Sequence, residues 1–259
     1  MVSGLLDGKR LVVTGVLDER SLAFGVAALA QEQGAEIVLT GAGRGLSITR
    51  RVARRLPEPP DVYELDVTVP EHFPALADAL GRRWGAVDGA LHAIGFAPRA
   101  CMGGGFLEAS WEDVGLALNV STYSLKALVA GLLPLFRSAG GGSVVGLDFD
   151  ATRAWPAYDW MGVAKAGLES CARYLARDVG QHRLRVNLVA SGPITTTAAR
   201  SIPGVEAFRD TWRARAPLGW DTEDSSCVAK ACVALLSDWF PMTTGEVIHV
   251  DGGFQAIGI

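Results

Sequence analysis

The stretch RLVVTGVLDERSLAFGVAALAQEQGAEIVLT, residues 10–40, passes from a continuously apolar run through a Gly-containing turn into a helical pattern and out to a second apolar run. RLVVTG (10–15) reads as a buried strand. SLAFGVAALAQEQG (21–34) reads as a helix, with Ser21 as its N-cap and Gly34 as its stop, and EIVLT (36–40) as the second strand. A strand apolar on every residue is covered on both faces, and two such strands joined by a helix form a parallel unit.

The alternation continues outward from this unit. LSITRRVARRL (46–56) is helical and ended by Pro57; VYELDV (62–67) is the third strand. A helix from about 70 to 84 leads to VDGALHAIG (87–95), the fourth strand, and then to a long helix over 110–137. SVVGLD (143–148) follows a Gly-rich turn, a helix covers 159–180, and LRVNLVA (184–190) is strand six. Residues 191–219 look irregular; a helix near 224–237 and the strand EVIHV (246–250) complete the chain. Right-handed crossovers between such strands give an α/β fold: one doubly wound Rossmann domain over 1–259, its seven-stranded, mostly parallel sheet covered by helices on both faces. No internal repeat, low-complexity tract or interdomain linker interrupts it.

Composition narrows the class. Of 259 residues, 49% are hydrophobic and 20% charged, enough apolar material for a sizeable core. A net charge of −4 gives no electrostatic case for nucleic acid or an anionic membrane. RRVARRL (50–56) is basic and reads as a solvated helix face. Cys101, Cys171, Cys227 and Cys232 form no CxxC pair and no metal-ligand spacing with His, so no metal is expected. The first residues carry no basic-then-apolar signal and no apolar run looks long enough to span a bilayer, so the expectation is a soluble cytoplasmic protein.

In a sheet of this kind, ligands bind beyond the carboxyl ends of the strands at the switch point. Gly15 lets the chain pass close to a phosphate, and Ser21 opens a helix whose N-terminal N–H groups favour a pyrophosphate. The pattern is not GxGxxG, and a strand–turn–helix with one Gly occurs in any α/β protein. The second strand ends in TGAGRG (40–45) without the acidic residue that often meets the ribose hydroxyls; Arg44 there either meets an adenosine phosphate, stacks on adenine or is solvated. Asp66 and Val67 could bound an adenine, and Ile94, Gly95 and Phe96 a ribose and an apolar wall. His92 reads as a structural histidine.

FDATRAWPAYDWMGVAK (149–165) places Tyr158 seven residues before Lys165, about two helical turns, so both return to nearly one face. Pro156 favours a helix start near Tyr158. The common four-residue Tyr–Lys spacing of nicotinamide enzymes would put the Tyr at 161, which is Met161. On spacing alone, a surface pair on an amphipathic helix remains the competing reading.

Together, TG-x5-SLA, AQEQGAEIVLTG, LDV, HAIGF, SVVGLDFD, Y-x6-K, NLVASGPI, ALLSDWFP and TTGEVIHVDGG resemble the bacterial enoyl-[acyl-carrier-protein] reductases, a divergent branch of the short-chain dehydrogenase/reductases. The nearest branch is that of the isoniazid target. The resemblance implies reduction of the trans-2 double bond of an enoyl thioester on acyl carrier protein or coenzyme A, in fatty acid or related biosynthesis. NADH is the implied cofactor, with NADPH as the alternative through Arg44. It also implies a homotetramer, with no nucleic acid or membrane partner.

Residue by residue, the resemblance gives Tyr158 the hydrogen bond to the thioester oxygen, Lys165 the nicotinamide ribose, and Phe149 an aromatic ring beside both. It gives the cofactor Gly15, Leu17, Ser21, Leu22, Ala42, Asp66, Val67, Ile94, Gly95, Ile194 and Thr196. It gives the substrate Phe96, Phe149, Trp155, Tyr158 and Met161, with 191–219 as a substrate-binding insertion. Many members carry a second Tyr where this chain has Phe149. Trp155 is bulky for a residue bordering the acyl pocket, and the segment between SGPI and APLGW is short. Both imply short or medium acyl chains. The competing functions are a carbonyl reductase on the same scaffold, against which Met161 argues, and a non-catalytic cofactor-binding paralogue, against which the retained Tyr158 and Lys165 argue.

Overall fold

The Val-, Ile- and Leu-rich runs lie side by side in the computed structural model, which describes residues 4–257. The outermost residues of the expected domain, 1–3 and 258–259, lie outside the described residues. The strands are β1 (Arg10–Val13), β2 (Glu36–Gly41), β3 (Val62–Glu64), β4 (Gly89–His92), β5 (Gly142–Asp148), β6 (Leu184–Ser191) and β7 (Val247–Val250). Their order is β3-β2-β1-β4-β5-β6-β7, and every pairing is parallel rather than mostly so. This is a Rossmann-type α/β arrangement, with its switch point between β1 and β4.

Alternate residues of each strand feed two layers. Leu11 and Val13 of β1 pack with Ala23, Val26 and Ala27 of α1 (Leu22–Glu32) and with Val228, Cys232 and Leu236 of α8 (Ser226–Leu236). Val12 faces the other way, towards Leu76 and Leu80 of α3 (His72–Trp84), Leu128 and Leu132 of α5 (Ser124–Ser138), and Leu168 of α6 (Asp159–Val179). Each fully buried Leu or Val contributes roughly 1.5–3 kcal/mol relative to an exposed one.

Three expectations change. The long helix comprises α4 (Trp111–Leu118) and α5, joined by one π turn at Asn119–Tyr123. The resulting run, Trp111–Ser138, is long and apolar enough to cross a membrane by length and composition, contrary to the reading from sequence. It nevertheless lies against the sheet, with Leu125, Leu128, Leu132 and Phe136 buried there. Second, residues 191–219 are not wholly irregular: Val205–Arg215 forms α7. Only Arg209 and Trp212 of α7 are buried, so the stretch lacks the apolar period that marks a core helix. Third, α2 begins at Gly43 and runs to Ala53, because Leu46 N–H already bonds the Ala42 carbonyl.

Candidate active site

The candidate residues collect along the carboxyl edge of the sheet. Gly15 follows β1 with φ +82°, and a Cβ there would lie 2.0 Å from the Ala93 carbonyl oxygen. Only Gly combines this left-handed backbone with so close an approach to the chain leaving β4. Ser21 occupies the N-cap position of α1, but its side chain makes no cap bond to the helix. It folds back instead: Oγ accepts from Leu17 N–H at 3.1 Å and Asp18 N–H at 3.0 Å, and donates to Asp18 Oδ1. At the start of α1 the Phe24 and Gly25 N–H groups both bond the Ser21 carbonyl, so the orphan donors of this helix end are those of Leu22 and Ala23. Asp18 also accepts from the Thr197 hydroxyl, which ties the β1 turn to the loop after β6.

Ala42 is the N-cap of α2 and Arg44 is exposed in its first turn. Asp66 and Val67 follow β3. Asp66 Oδ1 accepts from the Thr68 N–H and hydroxyl, bonds that hold its carboxyl below the usual range. Val67 packs at the edge of the core. Across the switch point, Ile94, Gly95 and Phe96 leave β4, with Gly95 and Phe96 exposed. The π turn clamps them: Ser121 Oγ accepts from Phe96 N–H at 2.9 Å and donates to the Phe96 carbonyl at 2.8 Å. Its neighbour Thr122 donates to the Ala164 carbonyl of α6 at 2.6 Å. The widened π turn thus joins the β4 loop to the helix carrying Lys165, a use to which such turns are often put. After β6, Ile194 is buried and Thr196 Oγ1 accepts from Ala199 N–H.

Tyr158 immediately precedes α6, and Lys165 lies on its buried face, so the seven-residue spacing brings both to one side. The turn presenting Tyr158 is strained. Ala157 (φ 60°) and Asp159 (φ 44°) are both left-handed, a state costing of order 1–3 kcal/mol per non-Gly residue. The strain is held by the loop at 103–104: Gly103 N–H donates to the Ala157 carbonyl at 2.9 Å and Gly104 N–H to Asp159 Oδ2 at 2.6 Å. Met161 sits beside Gly95, where a Cβ would be 3.2 Å from its terminal methyl.

Lys165 Nζ donates to the Leu147 carbonyl at 2.8 Å. Burial lowers its pKa, opposed by the Asp148 carboxylate. Burial raises the Tyr158 pKa, and the Asp148 charge adds to the effect, so the phenol stays a donor at neutral pH. His92 is fully buried, hydrogen-bonded to Ser124 Oγ at 2.7 Å, and pushed down to about 3 by burial and by Lys165. It is a neutral structural histidine.

Phe149 stands next to Tyr158, ring centroids 5.1 Å apart, and also touches Trp155, Phe208 and Trp212. Phe208, Trp212 and Phe254 of this aromatic cluster escaped sequence reasoning, because they come from α7 and the C-terminal turn. Gly103 and Gly104 also escaped, although GGG at 103–105 was a visible signal.

The residues present fit a dinucleotide. The Gly15 turn is a cradle that any Cβ would fill, α1 begins just after it at Leu22, and Lys165 carries a buried ammonium beside the end of β5. A family model described as enoyl-(acyl carrier protein) reductase matches residues 15–255. A Mycolicibacterium smegmatis protein named enoyl-[acyl-carrier-protein] reductase (NADH) is 47% identical, the match covering 97% of this chain and 98% of the relative. A Mycobacterium avium protein of the same name is 43% identical over 97% of this chain and 98% of its own. An Aquifex aeolicus relative, the NADH enzyme FabI, is 37% identical over 99% of this chain and 94% of its own. With the model spanning nearly all of the sequence, the chain belongs to the enoyl-[acyl-carrier-protein] reductase family.

Proposed function

We propose that this chain reduces the trans-2 double bond of an enoyl thioester to the saturated acyl thioester, with NADH as reductant, in fatty acid or related biosynthesis. The observation that carries the reading is the buried Tyr158–Lys165 pair on one side of α6, with Met161 at the position a ketone-reducing tyrosine would take. When bound, the reduced nicotinamide would supply the hydride taken up at the β-carbon. The charge that develops on the thioester oxygen calls for a preorganised donor, and the Tyr158 hydroxyl is that donor. Its raised pKa keeps the proton in place until the enolate forms. The rigid turn around Tyr158 fixes the donor before substrate arrives, so reorganisation costs little. The α-carbon then takes its proton from water or through Tyr158. Lys165 orients the nicotinamide ribose. Gly15, Leu17, Ser21 and Leu22 cradle the pyrophosphate, and Ala42, Asp66 and Val67 the adenosine. Ile94, Gly95, Ile194 and Thr196 flank the nicotinamide end. Phe149, Phe96, Trp155 and Met161 line the acyl side, with 191–219 closing over it.

The same reading gives a carrier-protein-linked or coenzyme A-linked substrate, a single domain, a homotetramer and a cytoplasmic location. NADH oxidation with crotonyl-coenzyme A, run with Tyr158→Phe alongside, tests the core of it. Turnover that needs Tyr158 is expected. Reduction of a ketone with no turnover of any enoyl thioester would replace this reading by the carbonyl-reductase one.

A further inference from the structure

Beyond Phe149, the acyl side of the site ends in a wall of rings. Trp155 lies 5.4 Å from Phe149, 6.1 Å from Phe208 and 5.2 Å from Trp212, centroid to centroid. Behind the wall is a groove of about 400 Å³, whose lining includes Trp155, Phe208, Trp212 and Phe254 together with Ala157 and Pro203. Neither Tyr158 nor Phe149 lines it. Trp155, Phe208 and Trp212 therefore touch Phe149 and also line the groove.

The members of this wall are not equally fixed. Trp212 is buried and stacked on Phe254 at 3.8 Å, as part of a small core of its own. Phe208 belongs to α7. Of Trp155, Phe208 and Trp212, Trp155 alone sits in the irregular segment between β5 and α6, half-buried, with its indole N–H bonded to the Asp150 carbonyl at 2.6 Å and its ring against Phe149, Trp212 and Phe254. That bond fixes an indole that meets Phe149 and also lines the groove. A flexible apolar side chain at this position could rotate aside; a hydrogen-bonded indole must break its bond to do so.

We propose that Trp155 is a chain-length gate: it closes the reactive site against the apolar groove, so that the enzyme acts on short 2-enoyl thioesters and rejects long ones whose tails would have to enter that groove. The proposal rests on the enoyl-reductase reading. A groove of this size, walled by Phe, Trp, Pro and Ala, is chemically suited to an alkyl tail. A tail reaching from Phe149 to the groove would meet Trp155, Phe208 and Trp212. Because each methylene refused by an apolar pocket changes kcat/KM by roughly tenfold or more, the gate should appear as a steep break in the length profile.

The test measures kcat/KM with NADH for crotonyl-, 2-octenoyl-, 2-dodecenoyl- and 2-hexadecenoyl-coenzyme A, in the wild type, Trp155→Phe, Trp155→Ala and Phe208→Ala. In the wild type, values should fall by about tenfold or more between the octenoyl and dodecenoyl substrates. Trp155→Ala should raise the dodecenoyl-to-crotonyl ratio by at least about tenfold, with Trp155→Phe between the two. Saturated palmitoyl-coenzyme A should inhibit Trp155→Ala more tightly than wild type by a similar factor. Thermal unfolding with NADH present confirms that each variant is folded, and Phe208→Ala opens the same wall from the other side. A wild type that accepts all lengths equally, or a Trp155→Ala ratio unchanged in a folded protein, overturns the gate while leaving the reductase reading intact. No turnover at any length in the wild type removes the reductase reading itself, and the gate with it.

Discussion

Lys165 Nζ stands 3.8 Å from Asp148 Oδ1, and the two side chains are 8% and 0% exposed. Neither Asp148 oxygen has a hydrogen-bond partner among the described residues. Burial is the larger influence on the carboxyl and pushes it up to about 7, with Glu169 and Asp150 adding to the rise and Lys165 opposing it. The folded state therefore holds this proton more tightly than the unfolded chain does. Between roughly pH 4 and pH 7 the native state binds the extra proton, so this group's contribution to stability declines as pH rises through that window and is flat above it. Asp148→Asn removes the decline. Urea unfolding of the cofactor-free protein at pH 5 and pH 8 should show the variant gaining on the wild type by a few kcal/mol at the higher pH. A stability difference that does not change with pH would mean that Asp148 stays ionised against Lys165 throughout.

Tyr158 is held by its neighbours as well as by its own contacts with Phe149 and the Trp155 carbonyl. With Ala157 and Asp159 both left-handed and bonded to the 103–104 loop, its position is set before any substrate binds. Tyr158→Phe should therefore leave the fold and NADH affinity nearly unchanged and lower kcat on an enoyl thioester by about 100-fold or more, the usual cost of losing one oxyanion donor. Stopped-flow hydride transfer and NADH fluorescence titration separate the two effects. A loss confined to KM would assign Tyr158 a ground-state contact only.

The strands along the chain were readable because most are apolar on consecutive residues and most lead into a recognisable helix. The Tyr158–Lys165 pair was readable as a spacing that shares one helix face, whereas its burial depends on what packs over that face and spacing alone left a surface pair open. Other features depended on contacts between distant segments. Asp148 ends an apolar strand, and its isolation is created by α6 packing over it. Ser21 was read as a helix cap, yet its oxygen serves Leu17 and Asp18, because the β1 turn curls back on itself. α7 escaped because a helix with two buried residues carries no apolar stripe, and with it went the aromatic wall it helps to build.

Gly15 makes a sharper demand on the fold than any other residue of the cofactor cradle. Gly15→Ala places a methyl 2.0 Å from the Ala93 carbonyl oxygen and forces Ala into φ +82°. The left-handed backbone alone costs about 1–3 kcal/mol, and the clash must be relieved by parting the β1 and β4 loops. The expected result is a melting temperature lower by several degrees and an NADH dissociation constant raised at least about tenfold. Wild-type NADH affinity in Gly15→Ala would show that the cofactor does not pass this turn.

The helices on one flank of the sheet carry apolar surface that no described residue covers. Tyr123 is 53% exposed between α4 and α5, and Tyr174 is 61% exposed on α6. Each lies under a cation of its own helical run, with Lys126 Nζ 5.0 Å from the Tyr123 ring and the Arg177 guanidinium 5.0 Å from the Tyr174 ring. Exposed aromatics on neighbouring, mutually packed helices are what a helix-to-helix subunit contact requires. If the homotetramer forms through this flank, sedimentation equilibrium should give four times the 27.3 kDa chain mass. Tyr123→Glu with Tyr174→Glu should then shift it to dimers or monomers, because each substitution removes an aromatic contact and adds a carboxylate that must be desolvated at the interface, even beside Lys126 or Arg177. A monomeric wild type, or a tetramer indifferent to both substitutions, would place the assembly surface elsewhere.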